Sequence, residues 1–184
     1  MEILSVLVGG ALTIAGTLLV SFFQARDRKW DRIDKLREAE ERKMASKKEF
    51  QLAALRTVAL ALHRVSRDLS LSATVAALDS GETKDQFEAR HRNLVNSLDA
   101  AHVQVIGYSP AVSGYLDGVS AAISRYWGHF GNTIRLNNAV GECKEEADDY
   151  QRAFGQTFKA CGELSQIVAE SLVVVAQEIS DALN

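Results

Sequence analysis

The pattern of hydrophobic and polar positions divides the chain into three segments and predicts an all-α protein. Residues 1–24 are almost uncharged, residues 25–48 are mostly charged, and residues 49–184 carry apolar side chains every three or four positions. That spacing places the apolar side chains on one face of a helix. No stretch shows the alternation of apolar and polar residues that is typical of a strand.

The first segment predicts a transmembrane anchor. Residues 3–23 contain no charged side chain, and as an α-helix these 21 residues would extend about 31 Å, close to the ~30 Å hydrocarbon core of a bilayer. A cleaved signal peptide would need a basic start and a small-residue cleavage site, and a buried core helix would need a polar outer face. The segment has none of these features, so we favour the transmembrane interpretation over both alternatives.

Charge asymmetry predicts the orientation of this anchor. No basic residue precedes the apolar run, whereas four follow it directly. Basic residues beside a span stay on the cytoplasmic side, and aromatic rings favour the membrane interface. We therefore expect an external N-terminus, a cytoplasmic body and membrane lipid as a partner. The expected interface anchors are Phe22, Phe23, Arg26, Arg28, Lys29 and Trp30.

Small residues follow one face of the anchor. They are Ser5, Gly9, Thr13 and Thr17, four positions apart, with Gly16 beside the row. Small side chains let helix backbones approach closely, and hydroxyls can hydrogen-bond across helices. The row predicts self-association into a homo-oligomer, and its alternatives are a hydroxyl-lined pore and exposure to lipid. Ionisable residues usually mark a transport path, and their absence here argues against the pore.

The charged second segment predicts a helical stalk. Opposite charges lie four positions apart, as in Asp31 and Lys35, which supports a helix. Trp30, Ile33 and Met44 leave only a narrow apolar seam. Such a helix is either solvated on all sides or pairs with another copy as a short coiled coil. The seam is too irregular for regular heptads, so we favour the solvated stalk.

The third segment predicts four amphipathic helices joined by short turns. Thr83 is the expected cap of the second helix, and Ser109 with Pro110 is expected to begin the third. Four apolar stripes are buried together when the helices pack as an antiparallel four-helix bundle. The expected helices cover residues 50–78, 84–106, 110–134 and 142–182.

The net charge of −3 is unevenly distributed. Residues 26–49 hold ten basic and seven acidic side chains, a net charge of +3, whereas residues 50–184 hold eleven and sixteen, a net charge of −5. A basic collar beside an apolar segment suits a membrane surface, while a nucleic-acid binder needs a concentrated basic face. We expect no nucleic-acid partner.

Few residues stand in a pattern that carries chemistry. Glu88 and His91 have the Glu-x-x-His spacing of di-iron bundles, but such a site needs two copies of the motif and two further Glu residues. Cys143 and Cys161 lie on one expected helix about 27 Å apart, which is too far for a disulfide. The sequence has no phosphate-binding glycine loop, nucleophile elbow or zinc spacing. We therefore expect a non-enzymatic protein with no catalytic residue, no metal and no cofactor.

The densest aromatic patch is "YWGHF", residues 126–130. Core packing is the interpretation we favour for it. If the body binds a ligand or a protein partner, this glycine-flanked patch with its neighbouring arginines is the first candidate surface. Its members are Arg125, Tyr126, Trp127, His129 and Arg135.

Two stretches carry a resemblance to other proteins. They are "VGGALTIAGTLLVSFFQARDRKWDRIDKLREAEERKMASKKEF" and "LDAAHVQVIGYSPAVSGYLDGV". Together they resemble a widespread group of small bacterial proteins with a Gly-rich membrane helix, an Arg/Glu-rich stalk and a helical body with a "V-x-x-Gly-Ser-Pro" turn. In this chain the turn reads "IGYSP", with Tyr108 as an extra residue. The resemblance implies the same architecture and a bacterial inner-membrane location, and it transfers no functional residue.

The sequence leaves two functions open. The first is a single-pass membrane protein that self-associates and whose body binds a partner or ligand. The alternative is a pore-forming effector of an antiviral defence or signalling system, with the body as its sensor.

Overall fold

The computed structural model describes the backbone of residues 2–137 and 144–183, and the side chains of residues 24, 26, 29–137 and 147–183. The secondary structure of this part of the chain consists of helices joined by short turns and contains no strand, which confirms the all-α prediction. Its helices are α1 (Glu2–Asp68), α2 (Leu71–Asp79), α3 (Lys84–Val105), α4 (Pro110–Asn137) and α5 (Lys144–Leu183).

The chain forms two compact units, residues 1–48 and residues 49–184. In the first unit every residue from 29 to 48 is exposed, including Trp30 and Met44. Arg42 and Glu38 approach within 3.6 Å one helical turn apart, and both side chains are exposed. Ion pairs of this kind support a solvated helix by a few tenths of a kcal/mol each.

No helix is both long and apolar enough to cross a membrane among the residues that the structure describes with their side chains. The anchor expected at residues 3–23 lies outside those residues and stays a prediction. The same holds for the association row and for three of the interface anchors. These are Ser5, Gly9, Thr13, Gly16, Thr17, Phe22, Phe23 and Arg28.

The second unit, which we call the body, is a helical bundle with antiparallel neighbours. Phe87 near the start of α3 contacts Phe130 near the end of α4, with ring centroids 4.6 Å apart. His102 near the end of α3 contacts Ser113 near the start of α4, with Nε2 and Oγ 2.6 Å apart. The two helices therefore run in opposite directions.

The helices α4 and α5 are also antiparallel. The Thr133 and Thr157 hydroxyls lie 2.8 Å apart in the core, and Arg125 approaches Glu163 to 4.0 Å on the surface. Each helix contributes one apolar stripe to a single core, as the sequence predicts. Fully buried members of this core include Val58, Leu62, Leu98, Val105, Leu116, Val119, Ile123, Leu164 and Val168.

The prediction of four body helices is wrong in one respect. The first expected helix does not continue to Leu78, because α1 ends at Asp68 and the separate helix α2 follows. Ser70 makes this break: its hydroxyl donates to the Arg67 carbonyl at 2.9 Å and accepts from the Ala73 amide at 3.2 Å. A serine cap of this kind satisfies amides that would otherwise have no partner at the start of a helix.

The turns predicted at Thr83 and at Ser109–Pro110 agree with the structure, whereas the turn predicted before residue 142 extends into residues 138–143, which lie outside the described residues. Thr83 caps α3, and its hydroxyl accepts from the Gln86 amide while the Gln86 side chain accepts from the Thr83 amide. This reciprocal pair is a capping box. Pro110 is the first residue of α4, where its missing amide hydrogen costs no helical hydrogen bond.

Candidate functional site

A mostly apolar cleft of about 490 Å³ lies on the body between α3 and α4. It forms where the first turns of α3 face the last turns of α4, a consequence of their antiparallel packing. We call it the Trp127 cleft. Its walls consist of Lys84, Phe87, Glu88, Trp127, Gly131, Asn132, Ile134 and Arg135. A volume of this size falls within the range of small-molecule sites.

An aromatic stack holds Trp127 in place. Its ring lies parallel to that of Phe87, with centroids 3.7 Å apart and an angle of 9° between the planes. The His91 ring contacts Trp127 as well, with centroids 3.9 Å apart. Phe87 is buried and packs edge-on against Phe130 in the core. The indole is therefore a half-buried platform fixed from beneath by the bundle core.

The environment of His91 favours its neutral form. Its Nε2 atom is buried and has no hydrogen-bond partner among the described residues. Burial disfavours the charged imidazolium and lowers the pKa of His91 below its usual 6.5. The ring lines a second, shallower cleft of about 350 Å³, and Trp127 lies between the two clefts because it lines both.

The charged side chains of the Trp127 cleft lie at its rim. The Lys84 ammonium approaches the Glu88 carboxylate to 3.7 Å, one helical turn away. The Arg135 guanidinium donates to the side-chain oxygen of Asn132 at 2.9 Å. With two cations and one carboxylate, the rim has a net charge of +1.

Trp127 and Arg135 are the two predicted surface residues that the structure brings together in the cleft. Arg125 is exposed elsewhere, beside Glu163 of α5. His129 is half-buried and lines neither of the two clefts. The structure thus places two of the five predicted residues at this cleft, and their role in binding stays a prediction.

Tyr126 was wrongly placed on this surface. Its side chain is completely buried, and its hydroxyl lies 2.9 Å from the Thr74 hydroxyl of α2. Thr74 also lies 3.5 Å from the Cys161 sulfur of α5, so this polar contact joins three helices in the core. Burial raises the pKa of Tyr126 and of Cys161 above their usual values. Tyr126 and Phe130 are therefore core residues, whereas Trp127 and His129 of the same patch are only half-buried.

The α3 side of the cleft was missed by the sequence reasoning. The apolar periodicity of α3 indicates only a core position for Phe87, and no pattern in the sequence singles out Lys84. A usable signal was the spacing of Phe87 and His91, four positions apart, which places two rings on one helical face. This spacing identifies a binding surface only when the alignment of α3 against α4, and hence the position of Trp127, is known.

Three interface anchors have described side chains. Arg26, Lys29 and Trp30 are exposed, and Trp30 has 58% of its surface accessible. Their role at a membrane surface stays a prediction.

A Ser–His–Asp grouping joins α3 to α4. His102 Nε2 lies 2.6 Å from the Ser113 hydroxyl, and His102 Nδ1 lies 3.7 Å from the Asp117 carboxylate. The second distance is too long for the hydrogen bond that orients the histidine in a catalytic triad. The Asp117 side chain is also 72% exposed, so water competes for it. We interpret the grouping as a surface link between two helix ends.

Within the described residues, no three His, Cys, Asp or Glu side chains are grouped to hold a metal ion. Cys161 is buried, and Cys143 lies outside the described residues.

Comparisons with protein families, curated proteins and solved structures gave no match to this chain. The fold and the cleft together define an α-helical bundle protein with one apolar, weakly basic candidate binding site.

Proposed function

We propose that the chain is a non-enzymatic, single-pass protein of the bacterial inner membrane whose cytoplasmic body binds a ligand or partner. The observation that carries the binding role is the Trp127 cleft. It combines an apolar floor with a few polar groups at the rim, which is the usual composition of a small-molecule site. The rings of Phe87 and His91 hold Trp127 in position before any ligand arrives. A fixed platform of this kind lowers the entropy cost of binding.

The anchoring role is supported by the uncharged run at residues 3–23 and by the basic residues that follow it. Self-association is supported by the row of small residues, in which Gly9 is the smallest. Anchoring and association would bring several bodies together on one membrane surface. We expect ligand binding at each cleft to change the state of the oligomer.

Anchoring is tested by extracting membranes with alkaline carbonate. We expect the full chain to stay in the membrane pellet. Recovery in the soluble fraction would reject the anchor and, with it, the membrane part of the proposal.

Association is tested by crosslinking the full chain in lipid bilayers. We expect oligomers that Gly9→Leu reduces, because the larger side chain separates the helix backbones. Gly10→Leu is the matched control, since Gly10 is adjacent in sequence but off the row. Monomers alone in the unaltered chain, or equal loss in both variants, would contradict association through this row.

Binding at the cleft is tested with a photo-crosslinking residue at Asn132, which is exposed at the cleft rim. Ser124 is the control position, because it is exposed on the same helix and lies outside the cleft. We expect a discrete product in cells from position 132 and none from position 124. Equal crosslinking from both positions would show that binding is not specific to the cleft.

The alternative function is a pore-forming effector with the body as sensor, and the hydroxyls of Ser5, Thr13 and Thr17 favour it. A pore predicts dye leakage from vesicles that contain the full chain. It also predicts that Thr13→Val reduces the leakage while oligomers persist. Oligomers without leakage would favour the binding protein over the effector.

A further inference from the structure

The rim of the Trp127 cleft is weakly basic, although the body as a whole is acidic. The rim has a net charge of +1, whereas residues 49–184 hold eleven basic and seventeen acidic side chains. A net positive rim attracts an anionic ligand more strongly than a cationic one. The rim therefore favours a ligand with a negatively charged group.

The two rim cations are available to a ligand. The Lys84 side chain is 81% exposed, and its 3.7 Å ion pair with Glu88 is of the weak, solvent-screened kind. Arg135 donates to Asn132, a neutral acceptor, and no described carboxylate lies within 4.0 Å of its guanidinium. A guanidinium with free donors binds a carboxylate or phosphate through short, charge-assisted hydrogen bonds.

The floor of the cleft is apolar and has room for a ligand. Phe87 and Ile134 are buried beneath it, and Trp127 forms one wall. Gly131 lines the cleft without a side chain, and a Cβ atom there would lie 4.0 Å from the nearest atom of Phe87. A ligand with an apolar body can therefore lie against these side chains while its charged end reaches the rim.

We propose that the Trp127 cleft binds a small organic anion, with its apolar body against Phe87, Trp127 and Ile134 and its anionic group held by Arg135 and Lys84. This inference rests on the proposed ligand-binding function and adds the chemical class of the ligand. The anionic group provides selectivity, and the apolar contacts provide most of the affinity.

The test uses the full chain in lipid nanodiscs with Trp30→Phe, which leaves Trp127 as the only tryptophan. Fluorotryptophan at this position gives one fluorine resonance that reports on the cleft. The probes are biphenyl carboxylate and its neutral amide, which have the same apolar body and differ in charge. We expect a saturable shift with both, and an affinity for the carboxylate about tenfold higher, as one charge-assisted hydrogen bond provides.

Variants separate the two parts of the site. Arg135→Gln should lower the affinity for the carboxylate about tenfold and leave the affinity for the amide unchanged. Gly131→Leu should abolish binding of both probes because its side chain fills the cleft. Gly128→Leu is the matched control and should bind normally, since Gly128 is on the same helix, is exposed and lies outside the cleft. If Gly131→Leu fails to fold, as judged by circular dichroism, Arg135→Gln still decides the charge preference.

Equal affinities for carboxylate and amide, or no loss of preference in Arg135→Gln, would overturn the inference. Absence of any saturable shift would overturn it too. A crosslinked protein at Asn132 without probe binding would reject the small anion and leave the proposed binding function intact. Failure of both experiments would reject the binding function itself.

Discussion

The ring of Trp127 stacks on the ring of Phe87 with 3.7 Å between centroids, although the two residues lie on different helices and forty positions apart in sequence. Phe87 belongs to the core, whereas Trp127 is half-buried and lines two clefts. The stack thus connects the bundle core to the candidate binding surface. It follows that changes at Trp127 affect both stability and binding, and the two effects can be separated by the size of the replacement.

Trp127→Ala is expected to lower the free energy of unfolding by about 2–3 kcal/mol, because it removes the stacked indole and leaves a void over Phe87. Trp127→Phe should cost about 1 kcal/mol, since a smaller ring can still stack. Urea unfolding of the full chain, followed by circular dichroism, measures both values. If both variants lowered the free energy of unfolding equally, the stacking of the ring at position 127 on Phe87 would contribute nothing to stability.

His91 predicts a dependence of stability on acid pH. Burial lowers its pKa in the folded state, so the unfolded chain takes up a proton first as the pH falls below about 6.5. The contribution of the neutral ring to stability is therefore present above pH 6.5 and is lost below it. We expect the unfolding free energy to rise more steeply with pH in the unaltered chain than in His91→Gln. The difference in slope should correspond to the uptake of less than one proton on unfolding. Identical slopes between pH 7 and 5 would contradict a lowered pKa of His91 in the folded state.

The contact between Thr74 and Tyr126 predicts how firmly α2 is held. Tyr126→Phe should cost about 1 kcal/mol, the typical value of one buried hydrogen bond. Thr74→Val should cost about 2 kcal/mol, since it leaves the buried tyrosine hydroxyl without this partner. The double variant should cost less than the sum of the two, because an apolar pair leaves no unsatisfied group. Strict additivity in this double-mutant cycle would show that the hydroxyls do not interact in solution.

Local periodicity was sufficient to predict most of the helices. The apolar stripes of α3, α4 and α5 are formed by residues three and four positions apart, and their burial follows directly from that spacing. The start of α2 was missed because Leu71, Ala73 and Val75 continue an apolar run without a proline or glycine. Only Ser70 marks the break, and serine is also common inside helices, so its capping role depends on the local geometry.

The candidate site could be predicted only in part, for a different physical reason. Tyr126 and Trp127 are adjacent, but about 100° apart around α4, so one faces the core and the other the surface. The spacing of Ile123, Tyr126 and Phe130 by three and four positions indicates one buried stripe, which conflicts with the placement of Tyr126 on a surface. The contribution of α3 requires the register of two helices, and no local pattern in the sequence contains this information.

Gly131 and Gly128 give a matched test of the cleft wall. Both lie within α4, where Gly→Ala is expected to stabilise a helix by about 0.5–1 kcal/mol. A Cβ atom at Gly128 would meet nothing within 4 Å, and one at Gly131 would make an ordinary contact at 4.0 Å with Phe87. We therefore expect both Gly128→Ala and Gly131→Ala to raise the urea midpoint by similar amounts, with an unchanged dependence on urea concentration. Only Gly131→Ala should alter probe binding, because only Gly131 lines the cleft. If Gly131→Ala destabilised the chain and Gly128→Ala did not, α3 and α4 would be packed more closely at Gly131 than the 4.0 Å distance indicates.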